Sequence, residues 1–310
     1  MKMLLSRGRV ESGQVIVFVV FILTALIGMA ALVIDVGSWY RADRHLQTAA
    51  DAAALAGAQE LPTKPSTAVS VAMDYGTVKN GAGLAALSVN PTIPRSDTIH
   101  VSATAQAPGF FARVISAAYN EVTVRAEAEA QVLAPLSLKN VAPIAVYKDM
   151  ACIVSNPSCF GQPVTLTLIE NAEYDPTKSK FGLLDLDRDG GAGAGDMKDW
   201  IEDGYPDYLP INTDYPPANG EKNGIKKELQ DAADEDRVLL MPVYDTANAA
   251  TGYHIIGWAA FVIDSIGKWA GKEHVLTGHF VTFIATDLAG GGTNTAPDSD
   301  FGVHVITLTH

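Results

Sequence analysis

The chain has 310 residues, a net charge of −13 and a 48% share of hydrophobic residues. That acidity excludes the basic face a nucleic-acid partner requires, and it gives no charge-based attraction to anionic lipid. The length allows a membrane anchor plus one or two domains.

Residues 15–34, VIVFVVFILTALIGMAALVI, carry no charge and one polar side chain, Thr24. Twenty helical residues rise roughly 30 Å, the thickness of a bilayer's hydrocarbon core. In lipid, a helix is the one single-segment structure that satisfies its own backbone. A membrane span over residues 15–36 is therefore expected. Lys2, Arg7 and Arg9 precede it against one acid, Glu11, whereas Asp35, Arg41, Asp43 and Arg44 follow. This bias places residues 1–14 in the cytoplasm and the bulk outside the membrane. The apolar run exceeds a secretory signal's, and Asp35-Val-Gly-Ser-Trp-Tyr40 replaces a small-residue cleavage site, so an uncleaved anchor is expected. Trp39 and Tyr40 suit the headgroup layer.

Residues 38–61 are rich in alanine, the best helix former, and proline first appears at Pro62. Arg41, Arg44, Thr48 and Asp51 form a polar stripe, and small residues lie around the other side. With only Gly37 intervening, one helix should run from about residue 11 to 59, roughly 70 Å. Its small-residue face, marked by Leu46, Ala50, Ala53 and Gly57, has two readings. It could admit another helix at close range, including one from a second copy of the chain, or it could pack on the chain's own sheet.

This stretch resembles the N-terminal region of the TadE/TadG-like proteins of Flp (tight adherence) pilus assembly. The matching pieces are Gly13-Gln14, Asp35-Val-Gly37, Leu46-Gln47 and the run ADAAALAGA at residues 50–58. The resemblance implies a non-enzymatic, single-pass component of a bacterial pilus-assembly or secretion apparatus. Its partners would be the bilayer and other pilus-assembly or pilin-like proteins, with the bulk periplasmic or extracellular. Two features differ from relatives. Gly8 is followed by Glu11 only three residues on, which is not a prepilin-peptidase site, and no D-x-S-x-S motif of a von Willebrand A domain occurs.

Residues 66–81 read as a helix with a glycine/asparagine stop. Residues 98–105 and 122–132 alternate apolar and polar, as half-buried strands do, with a short helix after Pro108 between them. Residues 37–133 should thus hold the extended helix and a small α/β module, pilin-like by resemblance. From residue 134 to 310 strand-like runs dominate: 142–147, 164–168, 238–243, 254–263, 275–286 and 303–309. The expected fold is α+β, with a β-rich, mainly antiparallel second domain. Residues 203–227 and 287–300 should be surface loops.

Cys152 and Cys159 enclose six residues, enough for a small disulfide loop if the domain is exported; two buried thiols are the alternative. Asp185, Asp187, Asp189, Gly190 and Asp196 stand at positions 1, 3, 5, 6 and 12, the spacing of an EF-hand-type calcium loop. Position 12 is the shorter aspartate and the loop carries extra glycines, so a solvated acidic turn is the competing reading. The calcium reading, taken further, gives a membrane-tethered, calcium-stabilised adhesion or binding module. Gly195 is followed by Asp196 and Met197, not by the Lys-Ser/Thr of a phosphate loop. No H-E-x-x-H or G-x-S-x-G occurs, so no catalytic residues are assigned.

Overall fold

The computed structural model describes residues 12–116, 120–170, 172–190, 193–218, 222–286, 292–293 and 300–309. Helix α1 (Ser12–Ala58) runs unbroken for 47 residues, through Gly28 and Gly37. Its two halves live in different surroundings. The apolar side chains from Val15 to Val36 are exposed, whereas Leu46, Ala49, Ala50, Ala53, Ala54 and Ala58 are buried. The first half has no protein to cover it; the second half is half of a core.

That core is completed by helix α2 (Pro65–Asp74) and one face of a sheet. Strands β1 (Ala85–Arg95), β2 (Thr98–Pro108) and β3 (Glu121–Pro135) form an antiparallel meander. Ile99, Val101, Ala103, Ala105 and Ala107 of β2, with Val124, Ala126, Ala128, Ala130 and Val132 of β3, point into it. Their polar alternates face outward, which is why the period-two pattern was readable. The side chains are mostly alanine on both sides, so helix and sheet approach closely. A methyl group built on Gly57 would lie 2.6 Å from Ile99 Cδ1 and 2.9 Å from the Ala68 carbonyl oxygen.

The expected β-α-β module is therefore a meander in which the intervening helix is a single turn, α3 (Ala112–Ile115). The expected boundary at residue 133 is also crossed. The first sheet is closed by β15 (Val303–Thr309), which pairs antiparallel with β3 and parallel with β13 (Phe283–Ile284).

The remaining residues build a second, mainly antiparallel sheet. It contains β5 (Ile144–Tyr147), β6 (Pro163–Ile169), β7 (Phe181–Leu183), β10 (Val238–Asn248), β11 (Gly252–Ala270) and β12 (Glu273–Val281), in the order β6-β12-β11-β10-β5-β7. Phe261, Phe280, Trp258, Tyr244 and Tyr253 fill its core. Helix α5 (Lys226–Asp234) buries Leu229, Ala232 and Ala233 there. The segment expected as a surface loop, 203–227, is more ordered than that. It contains β8 (Leu209–Pro210), paired with β4 (Ser137–Leu138), and β9 (Thr213–Tyr215), paired with β11. Short β14 (Gly292–Thr293) pairs with β3. The rest of the loop expected at 287–300 falls largely outside the described residues, as do residues 1–11 with the orientation and processing signals read there.

Candidate functional site

Three features bear on function: the junction between the apolar helix and the body, the acidic loop, and the cysteine pair.

At the junction, Asp35 follows the last apolar residue of the span and is 0% exposed. A carboxylate shut away from water needs hydrogen bonds to replace its hydration. The backbone supplies them. The Phe110 amide donates to Oδ1 at 2.8 Å and the Phe111 amide to Oδ2 at 2.9 Å. The Ala112 amide also donates to Oδ2. These are the free N–H groups at the start of α3, which a helix of any length leaves unpaired. Trp39 adds a bond from Nε1 to the Pro108 carbonyl at 3.2 Å. The end of the β2–β3 hairpin is thus bolted to the C-terminal end of the apolar run.

The geometry is consistent along its length. Gly57 of α1 meets Ile99 at the start of β2, and Asp35 meets the residues just past its end. From residue 35 to 57 a helix rises about 33 Å, and ten strand residues span about 34 Å. Strand β2 therefore runs back along α1 toward the membrane end.

The small-residue face of α1 is spent inside the chain. Leu46, Ala50 and Ala53 are fully buried against the sheet and α2, and Gly57 has no room for a side chain. Of the two readings of this face, packing on the chain's own sheet is the one the structure realises. A docking surface for another helix at Leu46, Ala50, Ala53 and Gly57 is corrected accordingly: the close approach that small residues permit has been used by β2, β3 and α2.

The acidic loop follows β7. Asp185, Asp187 and Asp189 converge, with carboxylate oxygens within 4.8 Å of one another. Asp185 is buried and accepts from the amides of Arg188 at 3.2 Å and Gly190 at 3.0 Å. Gly190 sits at φ +78°, a conformation glycine adopts without steric cost, so the sharp turn expected at position 6 is present. Arg188 lays its guanidinium over the Tyr215 ring at 4.2 Å. Asp196 does not join the three. It accepts from the Gly193 amide at 3.0 Å and caps helix α4 (Ala194–Glu202). Burial, then the hydrogen-bonded neighbour Asp187, pushes the Asp185 carboxyl up to about 6. The same contact holds Asp187 below the usual carboxylate range.

A carboxylate whose folded value is raised favours the folded state only while protonated. Stability should therefore fall as pH rises from about 4, the unfolded value, through about 6. Because the proton is shared by a coupled pair, the expected loss is about 1 kcal/mol, a few degrees in Tm. Thermal melts across that window check it, and Asp185→Asn should flatten the profile.

Cys152 and Cys159 are joined by a disulfide with Cα atoms 5.7 Å apart. Closing so small a loop is worth about 2–3 kcal/mol in the chain-entropy account. Denaturant unfolding with and without reductant should show a loss of that size, and a Cys152→Ser/Cys159→Ser variant should show none on reduction.

Three histidines of the second sheet and His304 of β15 each take a carboxylate partner. His274 Nε2 lies 3.2 Å from Glu170 and His304 Nε2 2.8 Å from Asp300; His254 and His279 each lie 2.9 Å from Asp214 and Asp264. A surface cleft of about 250 Å³ is bordered by Asn140, Trp200, Asp203 and Arg237. Arg237 is committed within it, donating to the Ile201 and Glu202 carbonyls and pairing with Glu235.

An exposed apolar helix long enough to cross a bilayer, locked at its C-terminal end to a β-rich body, is the arrangement of a single-pass membrane-anchored protein. Residues 13–60 match a family model described as "Putative Flp pilus-assembly TadE/G-like". The match covers α1 and the turn after it, so the similarity is confined to this segment of the chain. Neither the curated proteins nor the solved structures contain a match to the chain.

Proposed function

We propose that the chain is a non-catalytic component of a Tad/Flp-type pilus-assembly or secretion apparatus in a bacterial cell membrane. Its N-terminus lies in the cytoplasm and its β-rich body in the periplasm or outside the cell. The observation that carries this reading is the coincidence of the family match, residues 13–60, with the one helix that both spans and seats the body. With the small-residue face consumed, association with other pilus proteins or with a second copy falls to the exposed span, 15–36, and to the outward surface of the body. Deleting the gene should abolish or sharply reduce pili. Replacing residues 15–34 with a polyleucine span should keep the protein in the membrane but lose its crosslinks to pilus-assembly proteins. Normal piliation in the deletion strain overturns the reading.

A second reading is favoured by the convergence of Asp185, Asp187 and Asp189 around a buried carboxylate whose proton is held to about 6. Calcium, a hard cation that takes oxygen ligands, would relieve the repulsion between these carboxylates. The body would then be a calcium-stabilised binding module. Calcium should raise Tm at pH 7.5 and do so less at pH 5, where the ion competes with the shared proton. An unchanged Tm at both values, alike in the native chain and in Asp187→Ala, sinks this reading.

A further inference from the structure

The hairpin tip that Asp35 holds is apolar and uncovered. Phe110 is 51% exposed, Phe111 46% and Val114 83%. Large apolar side chains grouped on a loop tip call for a partner. Their height is fixed by the bonds already described: the Phe110 and Phe111 amides sit on the Asp35 carboxylate, one residue beyond the apolar run. If residues 15–34 fill the hydrocarbon core, Asp35 stands at its edge, and Phe110 and Phe111 stand beside it.

We propose that the tip of the β2–β3 hairpin is a second membrane contact, with Phe110, Phe111 and Val114 seated in the interfacial layer of the leaflet on the outer side of the span. The inference rests on the span reading. Continuity selects lipid as the occupant. The exposed apolar run of α1 ends at the residue that holds the Phe110 and Phe111 amides, so the exposed side chains of the tip begin where that run stops. Aromatic rings at that depth occupy the layer they prefer, in company with Trp39 and Tyr40. Arg113, also exposed, is placed to meet lipid phosphate, which an otherwise acidic chain would not attract. The body would then be held at two points. A span alone leaves the body free to tilt; a span plus a wedge beside it fixes which side of the body leans on the membrane.

The chain's two cysteines are paired, so a single introduced cysteine carries a unique label. The full chain is reconstituted in phosphatidylcholine vesicles with a nitroxide at Phe111→Cys, Val114→Cys, Val78→Cys or Leu26→Cys. Val78 is an exposed apolar residue on the π-helical turn after α2, outside both proposed contacts. Relaxation by oxygen and by a water-soluble nickel chelate reports depth. Positions 111 and 114 should give an oxygen-to-nickel ratio several-fold above that at 78 and below that at 26, as interfacial depth requires. A ratio at 111 and 114 equal to that at 78, with 26 deep in lipid, overturns the inference and leaves the span intact. An aqueous signal at 26 overturns both. Shielding of 111 and 114 from both reagents, with dipolar broadening between labels, would mean that a second copy covers the tip and would also overturn it. Val114→Cys replaces a side chain that is 83% exposed, so the fold survives the label.

Discussion

Replacing Asp35 with alanine is expected to free the hairpin tip from the helix. Three backbone amides, those of Phe110, Phe111 and Ala112, lose their acceptor together. They cannot turn to water without pulling the tip off α1, because the carboxylate they face is enclosed. Hydrogen bonds to charged acceptors are the strong class, so exchange at these three amides should accelerate by about 10- to 100-fold. Asparagine keeps one acceptor oxygen and should fall between. Hydrogen exchange of the reconstituted chain measures both. The α1–sheet core around Ile99 and Val101, far from the junction, should keep its protection. Uniform loss across the sheet would show that Asp35 holds the whole unit rather than its tip.

Gly57→Leu is expected to be the most damaging substitution in α1. The first added carbon already meets Ile99, Ala68 and Ala72 within 3.0 Å, and the Ala68 contact is backbone, which cannot rotate away. Three further carbons have no space among alanines. Overpacking of this kind costs roughly 3 kcal/mol or more, since helix, sheet and α2 must all separate. Gly57→Ala meets the same first-carbon clash, offset by up to about 1 kcal/mol of helix propensity, and should destabilise less than leucine. Ala53→Leu falls in the same class, because Ala53 is fully buried and faces Gly76. Denaturant unfolding in detergent micelles gives the stabilities. Near-native stability of the leucine variant would mean that α1 and α2 are not packed as described.

How far the sequence foretold this depends on how local each cause is. Helix α1 was legible because a twenty-residue apolar run and an alanine-rich continuation are properties of neighbours. So were β2 and β3, whose alternation states which face is buried. Strand β1 was not foreseen. Its Pro91 and Pro94 cannot donate to a ladder, and they are tolerated because β1 is an edge strand of the described sheet. Helix α5 was hidden at the end of a proline-rich stretch, and its nine residues reveal their buried side only once β11 is beside them. The acidic loop was legible as a spacing, but the departure of Asp196 was not, because a cap on α4 competes for the same side chain. Asp35 was read as part of a motif, without a role. Its partners are backbone amides some 75 residues away and leave no side-chain signature. The one available signal was chemical: an acid at the edge of hydrocarbon with no nearby base must be satisfied by something.

Strand β15 has a consequence for how such a chain is made. It pairs Ile306 with Val132, so the sheet nearest the membrane is finished by residues that follow the whole second sheet in order of synthesis. A chain threaded outward from its anchor would present β1, β2 and β3 first, with the far edge of β3 open. An open edge is a template for pairing with other chains, and contacts this distant in sequence form slowly. The early part of the body must therefore wait, incomplete and close to the bilayer, until the late part arrives. If the body is exported as proposed, export and folding would be coupled through β15, which closes the edge of β3.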